Sequence, residues 1–320
     1  MKEYEPIPIE EIYAARERIA DAVVRTPLVR LNAEELDAQI YLKLENMQPV
    51  RSFKLRGASN AMALTPPEEL ERGVWTASAG NMAQGVAWYA RKLGVPCTVV
   101  VPDNAPAVKV TAVERLGGRV VKVPFEVWWE IFTTHEYEGM EGLFVHAFDD
   151  RAVMAGNGTI GLEILEDLPD VDAVIIPYGG GGLCCGIASA LRALKPEVRI
   201  YASEVETGAP VAASLEAGKS VNVEFTPSFV DGISGPNVFP GVWEMTEALI
   251  DGAIVVSLEE TAAAFRLLVE RNSVVAEGAG ATALAAALSG KAGGGKVVCV
   301  ISGGNIDKVK IVKILQGEVP

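Results

Sequence analysis

From Val74 to Pro124 the sequence alternates between short β-branched runs and longer segments with helical spacing, and this alternation limits the fold more than any other feature. Strand-like VWTAS (74–78) passes into a helix predicted from Asn81 to about Gly94. PCTVVVP (96–102), a helix from about Ala105 to Leu116, and RVVKVP (119–124) follow. A β-α-β-α-β order calls for parallel strands joined by right-handed crossovers. A second series repeats the pattern. FVHAF (144–148) leads to a helix near 152–167, DAVIIPY (172–178) to a helix after Leu183, and RIYASEV (199–205) continues the set. IVVSL (254–258) then enters a helix in which Ser257 and Glu260 have capping-box spacing, and KVVCVIS (296–302) closes the series. Near the N-terminus, 9–20 has helical periodicity and Thr26-Pro27-Leu28-Val29 starts extended chain. The segment 124–143, with adjacent Trp128 and Trp129 and mixed charge, stands apart from both series, and a boundary between two lobes is expected near it. At 320 residues, the chain is long enough for two lobes of α/β type.

Composition excludes several function classes. The formal net charge is −14, and no Lys/Arg stripe exists to neutralise phosphates, so nucleic acid and membrane surfaces are not expected partners. No apolar run approaches the length of a membrane span, and Met1-Lys2-Glu3-Tyr4-Glu5 lacks the pattern of a secretory signal. Cys97, Cys184, Cys185 and Cys299 form no C-x-x-C pair or disulfide framework and read as packing residues. A reducing, cytoplasmic setting is the expectation. His135 and His146 are too few for a His-based metal site or a catalytic triad, and His146 within FVHAF reads as a core residue.

The chemistry lies in four segments. Lys54 sits in Arg51-Ser52-Phe53-Lys54-Leu55-Arg56, where apolar flanks and nearby cations favour a neutral, nucleophilic amine. Gly179-Gly180-Gly181-Gly182 follow a buried strand and precede the helix at Leu183, which presents backbone N–H groups and a helix start to a phosphate. A dinucleotide site competes for this reading, but G-x-G-x-x-G ends on Cys184 or Cys185, so a phosphate monoester fits better. The run Gly290 to Lys296 matches G-x-x-x-x-G-K, but Val297 replaces the metal-binding Ser/Thr and a strand follows, so it reads as a loop. The remaining two segments are Ser78-Ala79-Gly80-Asn81 and Ser302-Gly303-Gly304-Asn305.

Together these segments resemble the pyridoxal-phosphate enzymes of fold-type II, the tryptophan-synthase-β-like group that includes threonine and serine dehydratases (ammonia-lyases) and serine racemase. Runs such as 101–118, 155–164 and 276–286 extend the resemblance over nearly the whole chain. It implies two lobes, with a small domain of 50–145 held between 1–49 and 146–320 of a large one. It also implies that Lys54 carries the cofactor as a Schiff base, that Phe53 packs on its ring, and that Gly179, Gly180, Gly181, Gly182 and Leu183 hold its phosphate. Asn81 would meet its 3′-oxygen and Ser302 its pyridine nitrogen. Ser78, Ala79, Gly80, Asn81 and Met82 would bind the substrate. A hydroxyl at the pyridine nitrogen does not hold that nitrogen protonated, which suits β-elimination better than transamination.

The implied activity is dehydration and deamination of a β-hydroxy amino acid, L-threonine or L-serine first, to a 2-oxo acid and ammonia. Alternatives are a bulkier or acidic substrate such as phenylserine or 3-hydroxyaspartate, a β-replacement synthase, or a binding protein on a decayed scaffold; intact Lys54, Asn81 and Ser302 weigh against decay. Racemases of the group carry a second hydroxyl where this chain has Ala79, so weak racemisation is expected. Arg51 stands where the group shows Gly or His, and Met82 where it shows His. Arg51 would suit an acidic substrate side chain, and Met82 with Trp128 or Trp129 an aromatic one. A cation site of some members pairs a Glu with an Asp six residues on; here Glu204 is followed by Pro210, and no metal dependence is expected there. The resemblance also implies a homodimer or homotetramer. After VISGGNIDKVKIVKIL no room is expected for a regulatory domain, and hence no feedback by isoleucine.

Overall fold

A computed structural model describes residues 5–34, 36–233 and 235–320, so the first four residues of the N-terminal segment read above lie outside it. The chain opens with α1 (Ile9–Ile19), β1 (Leu28–Arg30) and β2 (Ala38–Lys43), then a 3-10 turn at Glu45–Met47. Next come α2 (Lys54–Leu64), α3 (Pro67–Leu70), β3 (Val74–Ala77), α4 (Asn81–Leu93), β4 (Cys97–Pro102), α5 (Ala107–Arg115), β5 (Arg119–Val123), α6 (Phe125–Thr134) and β6 (Leu143–Phe144). The second half runs through α7 (Arg151–Asp167), β7 (Ala173–Pro177), α8 (Gly182–Leu194), β8 (Arg199–Val205), α9 (Pro210–Ala217) and α10 (Pro240–Leu249). It ends with β9 (Gly252–Val256), α11 (Leu258–Asn272), α12 (Gly278–Leu288), β10 (Gly295–Val300) and α13 (Lys308–Leu315).

The strands form two sheets, a six-stranded one in the order β1-β2-β10-β7-β8-β9 and a four-stranded one in the order β5-β4-β3-β6. Every pairing is parallel except β1 with β2. The smaller sheet is drawn entirely from 74–144, and the larger from segments on both sides of it in sequence. β7 is buried along its whole length, as a central parallel strand covered on both faces must be. Ser257 accepts from Glu260 N–H and Glu260 reaches back to Ser257 N–H, so α11 starts with the capping box its spacing predicts. All four cysteines are free and buried.

Two segments differ from the sequence expectation. FVHAF is not a strand: β6 pairs with β3 only at Leu143 and Phe144. Beyond Val145, the imidazole Nδ1 of buried His146 accepts the N–H groups of Phe148 and Asp149 and turns the chain off the sheet. Residues 124–143, which showed no clear pattern, contain α6, whose aromatic face packs Trp128 and Phe132 against the smaller sheet. The Gly290–Lys296 run is a turn into β10 with Gly290, Gly293 and Gly295 at positive φ, as its reading as a loop requires.

A buried ionic cluster ties the start of α2 to the larger sheet. The Arg56 guanidinium donates to both carboxylate oxygens of Glu45 at 2.8 Å and to those of Glu163 at 2.6 and 2.9 Å. Lys43 Nζ, itself bonded to the Thr26 carbonyl, lies 2.5 Å from Glu163. Burial pushes the Glu45 carboxyl up, but the Arg56 charge and hydrogen bonds more than reverse this and hold it below its ordinary value. Two cations and two carboxylates thus neutralise one another two residues from Lys54.

Candidate active site

Lys54 is the first residue of α2, and its backbone is fixed from three sides. Phe53 N–H donates to the Ser302 carbonyl at 3.0 Å, and Ser52 pairs with Gly303 in an antiparallel bridge. On the opposite side α4 presses against it at Gly85, where a Cβ would meet the Lys54 carbonyl oxygen at 3.2 Å. The Lys54 amine donates to the Ala147 carbonyl at 2.6 Å and sits 4.9 Å from the centre of the Phe53 ring. Burial pushes that amine down to about 8, against a smaller opposing effect of the Glu277 charge. A lowered amine pKa is what nucleophilic lysine chemistry needs near neutral pH. Arg51 holds φ at 59°, in the left-handed region that glycine adopts freely and a residue with a Cβ adopts only at a cost. Its side chain is exposed.

The glycine loop lies at the other end of the 147–148 strap. Gly181, at φ 89°, turns the chain from β7 into α8, whose first turn leaves N–H groups without intrahelical acceptors. A Cβ at Gly180 would fall 2.1 Å from the Phe148 ring, and one at Gly182 would fall 2.8 Å from the Phe148 backbone. The loop therefore packs directly on Phe148, the residue that follows the Ala147 carbonyl bonded to Lys54. Leu183, on the first turn of α8, is buried in the larger core.

Ser78, Ala79 and Gly80 link β3 to α4, with the Ser78 hydroxyl accepting Gly80 N–H at 3.2 Å. A Cβ on Gly80 would meet no atom within 4 Å, so this turn borders open space. Asn81 starts α4 and is partly exposed. Its Nδ2 donates to Glu277 Oε1 at 2.8 Å, and its Oδ1 accepts from Asn305 Nδ2 at 2.8 Å. Met82 is 1 % exposed, packed in the small-lobe core with Val50 and Leu55, so its side chain is a core group and only its backbone faces the turn. Ser302 is buried at the end of the β10 strand, beside Phe53.

Glu277, within the run 276–286, joins the site only through the fold, where it meets Asn81. Burial pushes the Glu277 carboxyl up to about 7, the Asp231 charge adds to this, and the Asn81 hydrogen bond opposes it. The signal in the sequence was a lone carboxylate between Ala276 and Gly278 at a helix start, within a segment that had no other polar purpose. Glu204, the residue left from the possible cation pair, is also committed: its two oxygens accept the N–H groups of Val211 and Ala212 at the start of α9, both at 2.8 Å. Among the described residues no group of three or more His, Cys, Asp or Glu could hold a metal ion, and no helix is long and apolar enough to cross a membrane.

Lys54, the glycine turn at the start of α8, Asn81 and Ser302 are linked through Ala147 and Phe148, through Phe53, and through Glu277 and Gly303, and their amine, N–H, amide and hydroxyl groups are of the kinds that could hold pyridoxal phosphate. The sequence pattern of the family described as pyridoxal-phosphate dependent enzymes matches residues 19–303, and the chain belongs to that family. It is 42% identical over 316 residues to an L-threonine ammonia-lyase of Thermotoga maritima, covering 97% of this chain and 78% of that protein. It is 40% identical over 316 residues to the catabolic L-threonine dehydratase of Escherichia coli, covering 97% and 96%. Among solved structures, maize serine racemase superposes with a TM-score of 0.90 at 32% identity, covering 98% of each chain. The processed form of tomato threonine deaminase isoform 2 gives 0.87 at 33%, covering 98% of this chain and 95% of that one.

Proposed function

We propose that this chain is an ammonia-lyase that dehydrates and deaminates L-threonine or L-serine to the 2-oxo acid and ammonia. The single observation that carries the reading is the Lys54 amine, depressed to about 8 and held by the Ala147 carbonyl between the glycine loop and Asn81. The relatives named above, which are threonine ammonia-lyases and dehydratases over nearly the full chain, support the choice of substrate. When bound, the cofactor supplies an electron sink for the charge left on the substrate α-carbon.

The chain's own residues do the rest. The N–H groups at the Ser78–Met82 turn, at the start of α4, bind the substrate carboxylate. Lys54, the residue that would hold the cofactor, would serve as the base that takes the substrate α-proton. Gly179 to Leu183 would anchor the phosphate, Phe53 would flank the ring, and Ser302 would face the ring nitrogen without holding a proton on it. The β-hydroxyl leaves as water, carrying the equivalent of the proton removed from the α-carbon, and the enamine that results tautomerises to an imine whose hydrolysis gives the 2-oxo acid and ammonia. Ala79 has no proton to give to the opposite face, so we place elimination before the racemisation for which the maize neighbour is named. The lobe limits that accompany this reading are 50–145 for the small domain, with 1–49 and 146–320 in the large one. A cytoplasmic setting and a homodimer or homotetramer belong to the same proposal.

The test is a screen of β-hydroxy amino acids for 2-oxo acid and ammonia release, with Lys54→Ala as control. Release from threonine or serine by the wild type and none by the variant is expected. Equal behaviour of the two proteins would overturn the reading. Turnover of phenylserine or 3-hydroxyaspartate in preference to threonine would replace the substrate, and a requirement for an added thiol or sulfide would replace elimination with β-replacement.

A further inference from the structure

The geometry points to Glu277 and Asn305 as positioning residues that lock the Asn81 amide in one orientation, with its second N–H directed at the ring oxygen of the cofactor. This inference rests on the cofactor site proposed above. An Asn side chain carries two N–H donors on nitrogen and one oxygen acceptor, and its two flipped orientations are nearly equal in shape. In this protein they are far from equal in energy. Glu277 Oε1 takes one N–H of Asn81 at 2.8 Å, while Asn305 Nδ2 donates to Asn81 Oδ1 at 2.8 Å. Flipping the amide would set oxygen against a carboxylate and nitrogen against another amide nitrogen, replacing two attractions with two repulsions.

Neither lock is free to follow such a flip. Asn305 Nδ2 spends its other N–H on the Val50 carbonyl at 2.8 Å, so its own orientation is fixed. Glu277 is buried, and its backbone N–H donates to the Gly303 carbonyl at 2.9 Å. Its carboxylate lies in a slot walled by glycines: a Cβ at Gly303 would fall 2.4 Å from Oε1, and one at Gly232 would fall 3.3 Å from it. Gly303 in SGGN is therefore required by the carboxylate as much as by the turn. Asp231, Lys109 and Lys54 are the other charged groups acting around this carboxylate, and a hydrogen bond to a carboxylate is stronger than one between neutral groups. With one N–H committed to Glu277 and the oxygen to Asn305, the remaining N–H of this partly exposed residue is the one left for a ligand.

The test measures cofactor binding to the pyridoxal-phosphate-free protein by fluorescence quenching, together with the pH titration of the visible absorption of the loaded protein. Glu277→Ala removes one lock, Glu277→Gln keeps an acceptor of the same shape, and Asn305→Asp changes a donor into an acceptor with almost no change in volume. We expect Glu277→Ala to weaken binding about tenfold, Glu277→Gln to stay within about threefold of wild type, and Asn305→Asp to exceed the loss of Asn305→Ala, with shifted absorption titrations in the weakened variants. A residue that only supports the fold would not separate Asn305→Asp from Asn305→Ala in this order. Wild-type affinity and titration in Glu277→Ala and Asn305→Asp would overturn the inference, and if Glu277→Ala fails to fold the Asn305 pair decides. Failure of the proposed function looks different: the wild type would bind cofactor through Lys54 but release no 2-oxo acid.

Discussion

Replacing Arg56 with Met is the most demanding test of how Lys54 is held. Arg56 makes four charged hydrogen bonds to two buried carboxylates, two to Glu45 and two to Glu163, and donates to Thr159 at 3.1 Å as well. Without it Glu163 still faces Lys43 at 2.5 Å, but Glu45 keeps hydrogen bonds only from Thr26 at 2.6 Å and Gln48 at 3.2 Å, with the smaller effect of the Lys43 charge. Breaking a buried ion pair from one side costs about 3–5 kcal/mol, because the carboxylate left behind is desolvated and uncompensated. In wild type the Glu45 carboxyl is held below its usual 4.5, so its contribution to stability is complete above that value and is lost as pH falls through the lower, folded-state one. In Arg56→Met the sign reverses. A buried, unpaired Glu45 is easier to protonate folded than unfolded, so acidification should restore part of the lost stability. Urea unfolding of the cofactor-free protein, followed by tryptophan fluorescence, should show the full deficit near pH 8 and a clearly smaller one near pH 5.5. Arg56→Lys should fall between, since an ammonium cannot serve two carboxylates with a planar fork. A deficit below about 1 kcal/mol, or one independent of pH, would refute the reasoning.

Three further outcomes follow from the site. The Lys54 amine, depressed to about 8, is the neutral nucleophile above that pH and the ammonium below it, so stopped-flow capture of pyridoxal phosphate should accelerate through about pH 8; an inflection near the ordinary 10.5 would contradict the burial argument. Gly180→Ala places a methyl 2.1 Å from the Phe148 ring and should cost about 1–3 kcal/mol of stability along with cofactor affinity, as read from unfolding and binding titrations, whereas Gly80→Ala meets nothing within 4 Å and should leave stability within about 0.5 kcal/mol. The wild type should interconvert L- and D-serine far more slowly than it releases 2-oxo acid, with Ala79→Ser raising the racemisation rate on chiral chromatography; fast racemisation by the wild type would show that another group serves the opposite face.

Local signals account for what was readable. The glycine run, the Asn81 helix start and the Lys54 segment are each strand–turn–helix or turn–helix units, in which residue type and neighbours settle the backbone. The same locality explains the failures. FVHAF has strand composition, but its pairing ends at Phe144 because His146 turns the chain, and the resulting strap delivers the Ala147 carbonyl to Lys54. Met82 follows Asn81 at the start of α4, but the 3.6-residue period of the helix points its side chain into a buried core cluster with Val50 and Leu55. Arg51 sits at a left-handed position, a constraint invisible until φ is known.

The sequence by itself determined the fold class, because alternating strands and helices carry their physics within a few residues, and its resemblance to the family pointed to the cofactor. Only the tertiary structure decided how that chemistry is tuned. Glu277 lies 196 residues from Asn81, Asn305 lies 224 from it, and Ala147 lies 93 from Lys54. Burial sets the Lys54 amine near 8 and the Glu277 carboxyl near 7, and burial belongs to the packed molecule rather than to any stretch of chain.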